Sequence, residues 1–244
     1  MIDNYAFLAF LRWIIFGAAN NKKVHLFVDA ENNNLVIHAF LVNRRPPIHR
    51  KLIIPGAFGG FDEAAEFVGI ANSSKRRDKM QNLADRHLVQ GLLLQTGYEG
   101  KVAYGAQLCD ASGNELTDLD AYLPSERAWI ELTTTEKPDE HLFKKLGRLS
   151  FIGRSFSVKE RDEDDPKTWL DIPDAELDKM FYLSLYPITY HPDPNAAVRY
   201  EIVHVFEHSD ADKVTAFLVG DKFIEKAEEK FNEIVKALKS FLEI

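Results

Sequence analysis

One cysteine in 244 residues, Cys109, has no second thiol in the chain to pair with. An internal disulfide is therefore excluded, and so are the cysteine-based zinc and iron–sulfur spacings. A reducing, cytoplasmic setting is the expectation. Long apolar runs are also missing. The longest candidate, Tyr5–Ala19 (YAFLAFLRWIIFGAA), is interrupted by Arg12 and falls short of the ~20 apolar residues that a spanning helix needs. A secretory signal wants its positive charge ahead of the apolar run, not inside it. The segment reads as a buried or partner-facing helix, with no membrane contact expected. Positive charge is the third shortage, with 30 Lys and Arg against 38 Asp and Glu and a formal net charge of −8. The molecule as a whole repels polyanions, so a nucleic acid has to meet a local basic patch. Phosphate-cradling glycine loops are absent as well, because Gly56, Gly59 and Gly60 lack both the spacing and the Lys-Ser/Thr pair that nucleotide binding requires.

What is present is ordinary globular material, 45% apolar and 28% charged, long enough for one elaborated domain or two small ones. After the first helix, Val24–Ala30 and Leu35–Val42 alternate as two strands joined through Glu31–Asn34. Pro46, Pro47, Pro55 and the glycines that follow then punctuate the chain, and Asp62–Ile70 is a short helix candidate. A basic cluster opens a longer helix that runs to Thr96 and stops at Gly97. Three strands in a meander follow, Val102–Leu108, Leu116–Leu123 and Ala128–Thr135, with turns at Asp110–Asn114 and Pro124–Glu126. A helix is expected over Asp139–Phe151, then an acidic loop around Asp162–Pro173 and a strand at Phe181–Tyr186. Strands at Arg199–Glu207 and Val214–Val219 precede a helix from Lys222 whose Phe223, Ala227, Phe231, Ile234, Leu238 and Phe241 form one stripe.

Chemistry concentrates in NELTDLDAYLPSERAWIELTTT, from Asn114 to Thr135. Alternate residues of a strand share a face, so Asp118 and Asp120 project together, as do Glu131, Thr133 and Thr135. Acids gathered on one face of adjoining strands repel each other, and a divalent cation relieves that repulsion. The alternative is that Asp118 and Asp120 face solvent on a half-exposed antiparallel strand.

At these residues the chain resembles the PD-(D/E)xK nuclease superfamily, over about Lys79 to Tyr186, less than half its length. A helix ending in Gly97-Tyr98 precedes a strand, the next strand carries Asp120, and the one after carries Glu131 in the apolar context WIEL. A helix and a further strand follow. The resemblance implies a restriction-endonuclease-like central sheet within a mixed α/β fold. Residues 1–74 would add a helix–hairpin module, 75–190 the core, and 191–244 a strand–helix extension packed on it. It also implies Mg²⁺- or Mn²⁺-dependent phosphodiester hydrolysis of DNA or RNA, in a defence or repair setting. Asp120 and Glu131 would be metal ligands, with Asp118 beside them and Asp85 of the first core helix as a further acid. The family's lysine belongs two residues after Glu131, where this chain has Thr133. Branches with an E-x-T strand carry the lysine on the following helix, here HLFKKLGRL. With Leu142, Leu146 and Leu149 as the buried stripe, Lys145 borders that stripe and Lys144 points away, which makes Lys145 the expected catalytic lysine.

Phosphate contacts are expected from Arg44, Arg45, Arg50 and Lys51, from Lys75, Arg76, Arg77 and Lys79, and from Arg148 on the lysine-bearing helix. His204-Val-Phe-Glu207-His208 spells an inverted zinc-peptidase motif, but that chemistry needs a helix and EIVHVF reads as a strand. Cys109 beside Asp110 reads as a small buried residue, not a nucleophile. The rival to a nuclease is a catalytically inactive binding or assembly subunit that keeps the fold. Apolar N- and C-terminal helices would suit such a subunit's partner contacts, or a homodimer.

Overall fold

The computed structural model describes residues 4–19, 24–31, 34–41, 48–54, 77–151, 156–162, 164–165, 167–190, 193, 198–207, 217–218 and 220–244. Helix α1 is Asn4–Ala19, followed by strands β1 (Val24–Glu31), β2 (Asn34–Leu41) and β3 (Ile48–Ile54). Helix α2 (Arg77–Thr96) leads into β4 (Ala103–Asp110), β5 (Glu115–Leu123) and β6 (Ala128–Thr133). Helix α3 (Pro138–Phe151), strands β7 (Phe156–Arg161), β8 (Trp169–Ile172), β9 (Lys179–Ser184) and β10 (Arg199–His204), and helix α4 (Phe223–Leu242) complete the described fold. It is mixed α/β, with a three-stranded antiparallel sheet β1-β2-β3 and a seven-stranded sheet ordered β10-β9-β6-β5-β4-β7-β8. Strands β6, β9 and β10 are parallel neighbours and the remaining pairs are antiparallel.

Parallel pairing of β6 with β9 requires a crossover, and α3 supplies it. Both strands lie in the middle of the sheet and are buried along their whole length. Their alternation divides two apolar layers. Ala128, Ile130, Leu132, Phe181 and Leu183 face the larger cluster with α1, α2 and α4, while Trp129, Met180 and Tyr182 pack with Leu142 of α3. All three segments of the chain contribute to the larger cluster, Phe10 and Leu35 from the first, Leu88 from the second and Phe231 from the third. Helices α1 and α2 touch closely at Gly91, where an added Cβ would lie 2.8 Å from the Ala6 Cα. The α4 stripe faces inward, with the Phe231 ring 5.5 Å from that of Phe10. The apolar faces of both terminal helices thus cover the chain's own core. Helix α2 closes at Gly97, φ +80°, with Tyr98 N–H donating to Leu93 O and Gly97 N–H to Leu94 O, the paired bonds of a Schellman motif.

Several expectations need correcting. The stretch around His49–Lys51 is a third strand, β3, paired in register with β2 (Phe40↔His49, His38↔Lys51); its outward His49 and Lys51 hide the alternation of an edge strand. The loop after α3 holds the β7–β8 hairpin, which extends the main sheet beyond β4. Phe217 and Leu218 are helical, not extended, and 214–216 lie outside the described residues. So do the helix candidate Asp62–Ile70 and the glycine turn at Gly56–Gly60. Among the described residues no helix is long and apolar enough to cross a membrane.

Candidate active site

Strands β5 and β6 pair at Leu123↔Ala128, Tyr122↔Trp129 and Ala121↔Ile130, and there the ladder ends. The next pair would be Asp120 with Glu131. Beyond it β5 continues beside β4 and β6 beside β9, so the sheet opens into a notch. Asp120 closes the end of the ladder with its side chain, since its Oδ2 accepts the Leu132 N–H at 2.7 Å. A cavity of about 550 Å³ occupies the notch. Gly17 of α1 and Asp85 of α2 line it from one layer, His141 and Lys145 of α3 from the other, and Asp118, Asp120, Glu131 and Thr133 from the strands between.

Glu131 shares a face of β6 with Trp129 and Thr133 and lies directly across from Tyr182 in the β6–β9 register. Its Oε2 accepts Trp129 Nε1–H at 2.9 Å, and its Oε1 is 2.8 Å from Lys145 Nζ. The same ammonium donates to Asp118 O at 2.7 Å and to Asp118 Oδ1 at 3.1 Å, and lies 5.6 Å from the centre of the Trp129 ring. Helical spacing places His141 one turn before Lys145 on the same face of α3. Its Nδ1 is 2.8 Å from Tyr182 OH, and its Nε2 points at Glu131 Oε1 from 3.6 Å. Tyr182 OH also contacts Pro138 O at 3.2 Å, which ties the start of α3 to β9.

The electrostatics follow from crowding in a buried notch. Burial raises Asp120 to about 6, although the Leu132 amide and Lys145 pull it down. Burial, and then the Asp120 charge, raise Glu131 to about 8 against the opposing pull of Lys145. Burial alone would lower Lys145, but Glu131 and Asp118 outweigh it and hold the ammonium charged. Asp118, burdened by some desolvation but paired to Lys145, sits below the usual carboxylate range. Desolvation and the neighbouring ammonium lower His141 to about 4, so it is a neutral imidazole at physiological pH and its contact with Glu131 is not an ion pair.

The structure therefore brings Asp85, Asp118, Asp120, Glu131 and Lys145 to one cavity. It does not join the four acids into a single ligand set: among the described residues no three His, Cys, Asp or Glu side chains are placed to share one ion. Asp118 is engaged by Lys145 and its side chain is 78% exposed. The donor chemistry nevertheless suits Mg²⁺, which takes one or two carboxylates and keeps several waters, and Asp120 and Glu131 repel each other in the manner a divalent cation would relieve.

Of the expected phosphate contacts, the described Arg50, Lys51 and Arg148 do not line the cavity. Arg50 and Lys51 are exposed on β3, with Lys51 paired to Glu31 at 3.2 Å, and neither borders the cavity. Arg148 is turned onto the backbone, donating to Leu116 O at 2.5 Å. Arg77 and Lys79 start α2 with side chains outside the described residues, as are Arg44, Arg45, Lys75 and Arg76 altogether. His204 ends strand β10 with Nε2 3.6 Å from Glu207 Oε2, and His208 is not among the described residues, so the peptidase spacing has no helix under its first histidine. Cys109 is buried within β4, and burial raises its thiol.

Sequence reasoning missed His141, Tyr182 and the Trp129 contact. The one available signal was the interval of four between His141 and Lys145, which puts both on one helical face. Comparison of the chain with protein-family models, curated proteins and solved structures returns no match.

Proposed function

We propose that the notch is the active site of a Mg²⁺- or Mn²⁺-dependent phosphodiesterase acting on DNA, with RNA as the second substrate, and that the core α2-β4-β5-β6-α3-β9 is restriction-endonuclease-like. The observation that carries this reading is the Lys145 ammonium 2.8 Å from Glu131, in the cavity that Asp120 also lines. An aspartate, a glutamate and a lysine thus meet although Thr133 stands where the family's lysine belongs, because α3 delivers the cation from the opposite side of the notch. The element order agrees with the resemblance, with β7–β8 as an insertion at the β4 edge.

Asp120 and Glu131 are the residues that would hold the ion, and a bound divalent cation would lower the pKa of a water and stabilise charge on a phosphate. Lys145 supplies a second positive charge for the scissile phosphate and a donor that orients the attacking water. His141, neutral and fixed through Tyr182, offers a polar contact at the cavity wall without adding charge. The cavity is lined by five carboxylates, Asp85, Asp118, Asp120, Glu131 and Glu136, against Lys137 and Lys145. Without a cation it repels phosphate, which supports metal dependence.

Incubation of plasmid and of single-stranded oligonucleotides with Mg²⁺ or Mn²⁺, and separately with chelator, tests the reading, with Asp120→Asn as control. Metal-dependent cleavage lost in that variant is the expected result. Absence of cleavage on every substrate overturns it in favour of the second reading, a non-catalytic binding or assembly subunit, for which Thr133 in the lysine's place is the supporting observation.

A further inference from the structure

We propose that the arrangement around Lys145 is a closed state of the site, in which the lysine holds the Glu131 carboxyl oxygen that a divalent cation takes over. The inference rests on the metal-dependent reading above. An ammonium has three N–H donors, and those of Lys145 meet three acceptors within 3.1 Å: Glu131 Oε1, Asp118 O and Asp118 Oδ1. No proton remains for a phosphate or a water. Glu131 has both oxygens engaged, Oε1 with Lys145 and Oε2 with Trp129, and although each keeps a second lone pair, an ion on Oε1 would share that oxygen with the ammonium and be repelled by it. A phosphate therefore needs a donor that the resting site already uses, and an ion at Glu131 meets the charge of the ammonium already there.

One exchange satisfies both needs. When Glu131 turns Oε1 to the incoming cation, it gives up one Lys145 N–H, and that proton becomes the donor offered to phosphate. The pair cannot open to solvent instead, since the side chains are 8% and 3% exposed and an unpaired buried charge is strongly unfavourable. The lysine does not drift away after the exchange, because the Asp118 backbone carbonyl retains it at 2.7 Å on the exposed rim of the notch. Its four-carbon stem allows the small displacement required without moving α3.

The test uses the full chain labelled with ¹⁵N and reads lysine ammonium resonances during titration with MgCl₂. A fully hydrogen-bonded, buried ammonium exchanges slowly enough to give its own signal, assigned to Lys145 by its loss in Lys145→Arg. Saturable movement or broadening of that signal, together with a rise in melting temperature, is the expected result. Lys145→Met should bind Mg²⁺ at least roughly tenfold more tightly, the worth of one charge-assisted hydrogen bond removed from Glu131. Lys137→Met, which deletes the same charge from the cavity lining but a bond to Glu140 only, should change affinity less. Saturable Mg²⁺ binding with an unmoved Lys145 signal overturns the exchange, and so do equal effects of the two methionine variants. Cleavage of nucleic acid with an unmoved signal sinks the exchange alone; absence of any Mg²⁺ binding sinks it together with the metal-dependent reading. The wild-type titration decides the matter even if a methionine variant fails to fold.

Discussion

Asp120 Oδ2 accepts the Leu132 amide at 2.7 Å at the point where β5 and β6 separate, so one carboxylate both terminates a strand ladder and lines the cavity. These two duties separate by substitution. Asp120→Asn keeps an oxygen for the Leu132 N–H and removes the charge, so its melting temperature should stay at or above that of the unaltered chain while cleavage falls below detection. Nucleic-acid binding should persist or tighten, because a phosphate repellent has gone. Asp120→Ala also orphans a buried amide and should lose about 1–3 kcal/mol in urea denaturation. Wild-type turnover in Asp120→Asn would remove this residue from the mechanism.

Lys145 and Lys144 are neighbours in sequence with opposite surroundings, the first enclosed by Glu131 and Asp118, the second exposed. Lys145→Ala should slow cleavage roughly 10²–10³-fold, the scale seen when a preorganised charge stabiliser is removed. Its effect on stability should grow as pH rises, because without Lys145 the buried Glu131 keeps its proton to a higher pH and ionising it is more costly than in the unaltered chain. Lys144→Ala should change either property little, within about 0.5 kcal/mol in stability. Single-turnover cleavage beside denaturant titration checks both, and equal small effects would show that no lysine has moved to α3 for catalysis.

The parts legible in the sequence were those with a local cause. Gly97 ended α2 because a left-handed residue closes a helix, and strand alternation alone put Glu131 and Thr133 on one face. The 3.6-residue period separated Lys145 from Lys144 correctly for the same reason. Strands β7 and β8 were not legible, since they are short and carry Lys159, Glu160, Arg161 and Asp171 at positions that look like loop. Tyr182 was hidden for a different reason. It meets Glu131 only through the register of two parallel strands joined by a long crossover, and no local pattern records such a register.

Helix α1 reaches the notch because it lies flat on α2 at Gly91, with Ala6 filling the space a side chain would need. Gly91→Val puts a branched side chain against the α1 backbone, which cannot move aside as a flexible side chain would. A loss of about 1–3 kcal/mol is expected, typical of an overpacked contact. As Gly17 at the far end of α1 lines the cavity, faster hydrogen exchange in α1 should accompany the loss. Unchanged stability in Gly91→Val would show that the two helices are not in the contact described.

Stability should also depend on pH and Mg²⁺ in a coupled way. Glu131 stands at about 8 in the folded chain, above the ordinary glutamate value, so the folded state binds its proton more tightly than the unfolded state does. That preference is fully present below the unfolded pKa and disappears as pH rises through about 8. Asp120, raised to about 6, adds a contribution of the same sign that is gone by pH 7. His141 works the other way. Lowered to about 4, it lends stability above its unfolded value of 6.5 and withdraws it as pH falls toward 4, so the acids and the histidine oppose each other below 6.5. Above pH 6.5 the His141 contribution is nearly complete, so from there to about 8 Glu131 dominates this site's share and the melting temperature of the metal-free protein should fall across that interval. Mg²⁺ competes with the same protons, so millimolar MgCl₂ should raise the melting temperature more at pH 8 than at pH 6.5. Glu131→Gln, which carries no proton to lose, should flatten both the pH dependence and the Mg²⁺ response in scanning calorimetry. A metal-free melting temperature that rises from pH 6.5 to 8 would mean that Glu131 is ionised throughout by Lys145, with the ion pair outweighing burial.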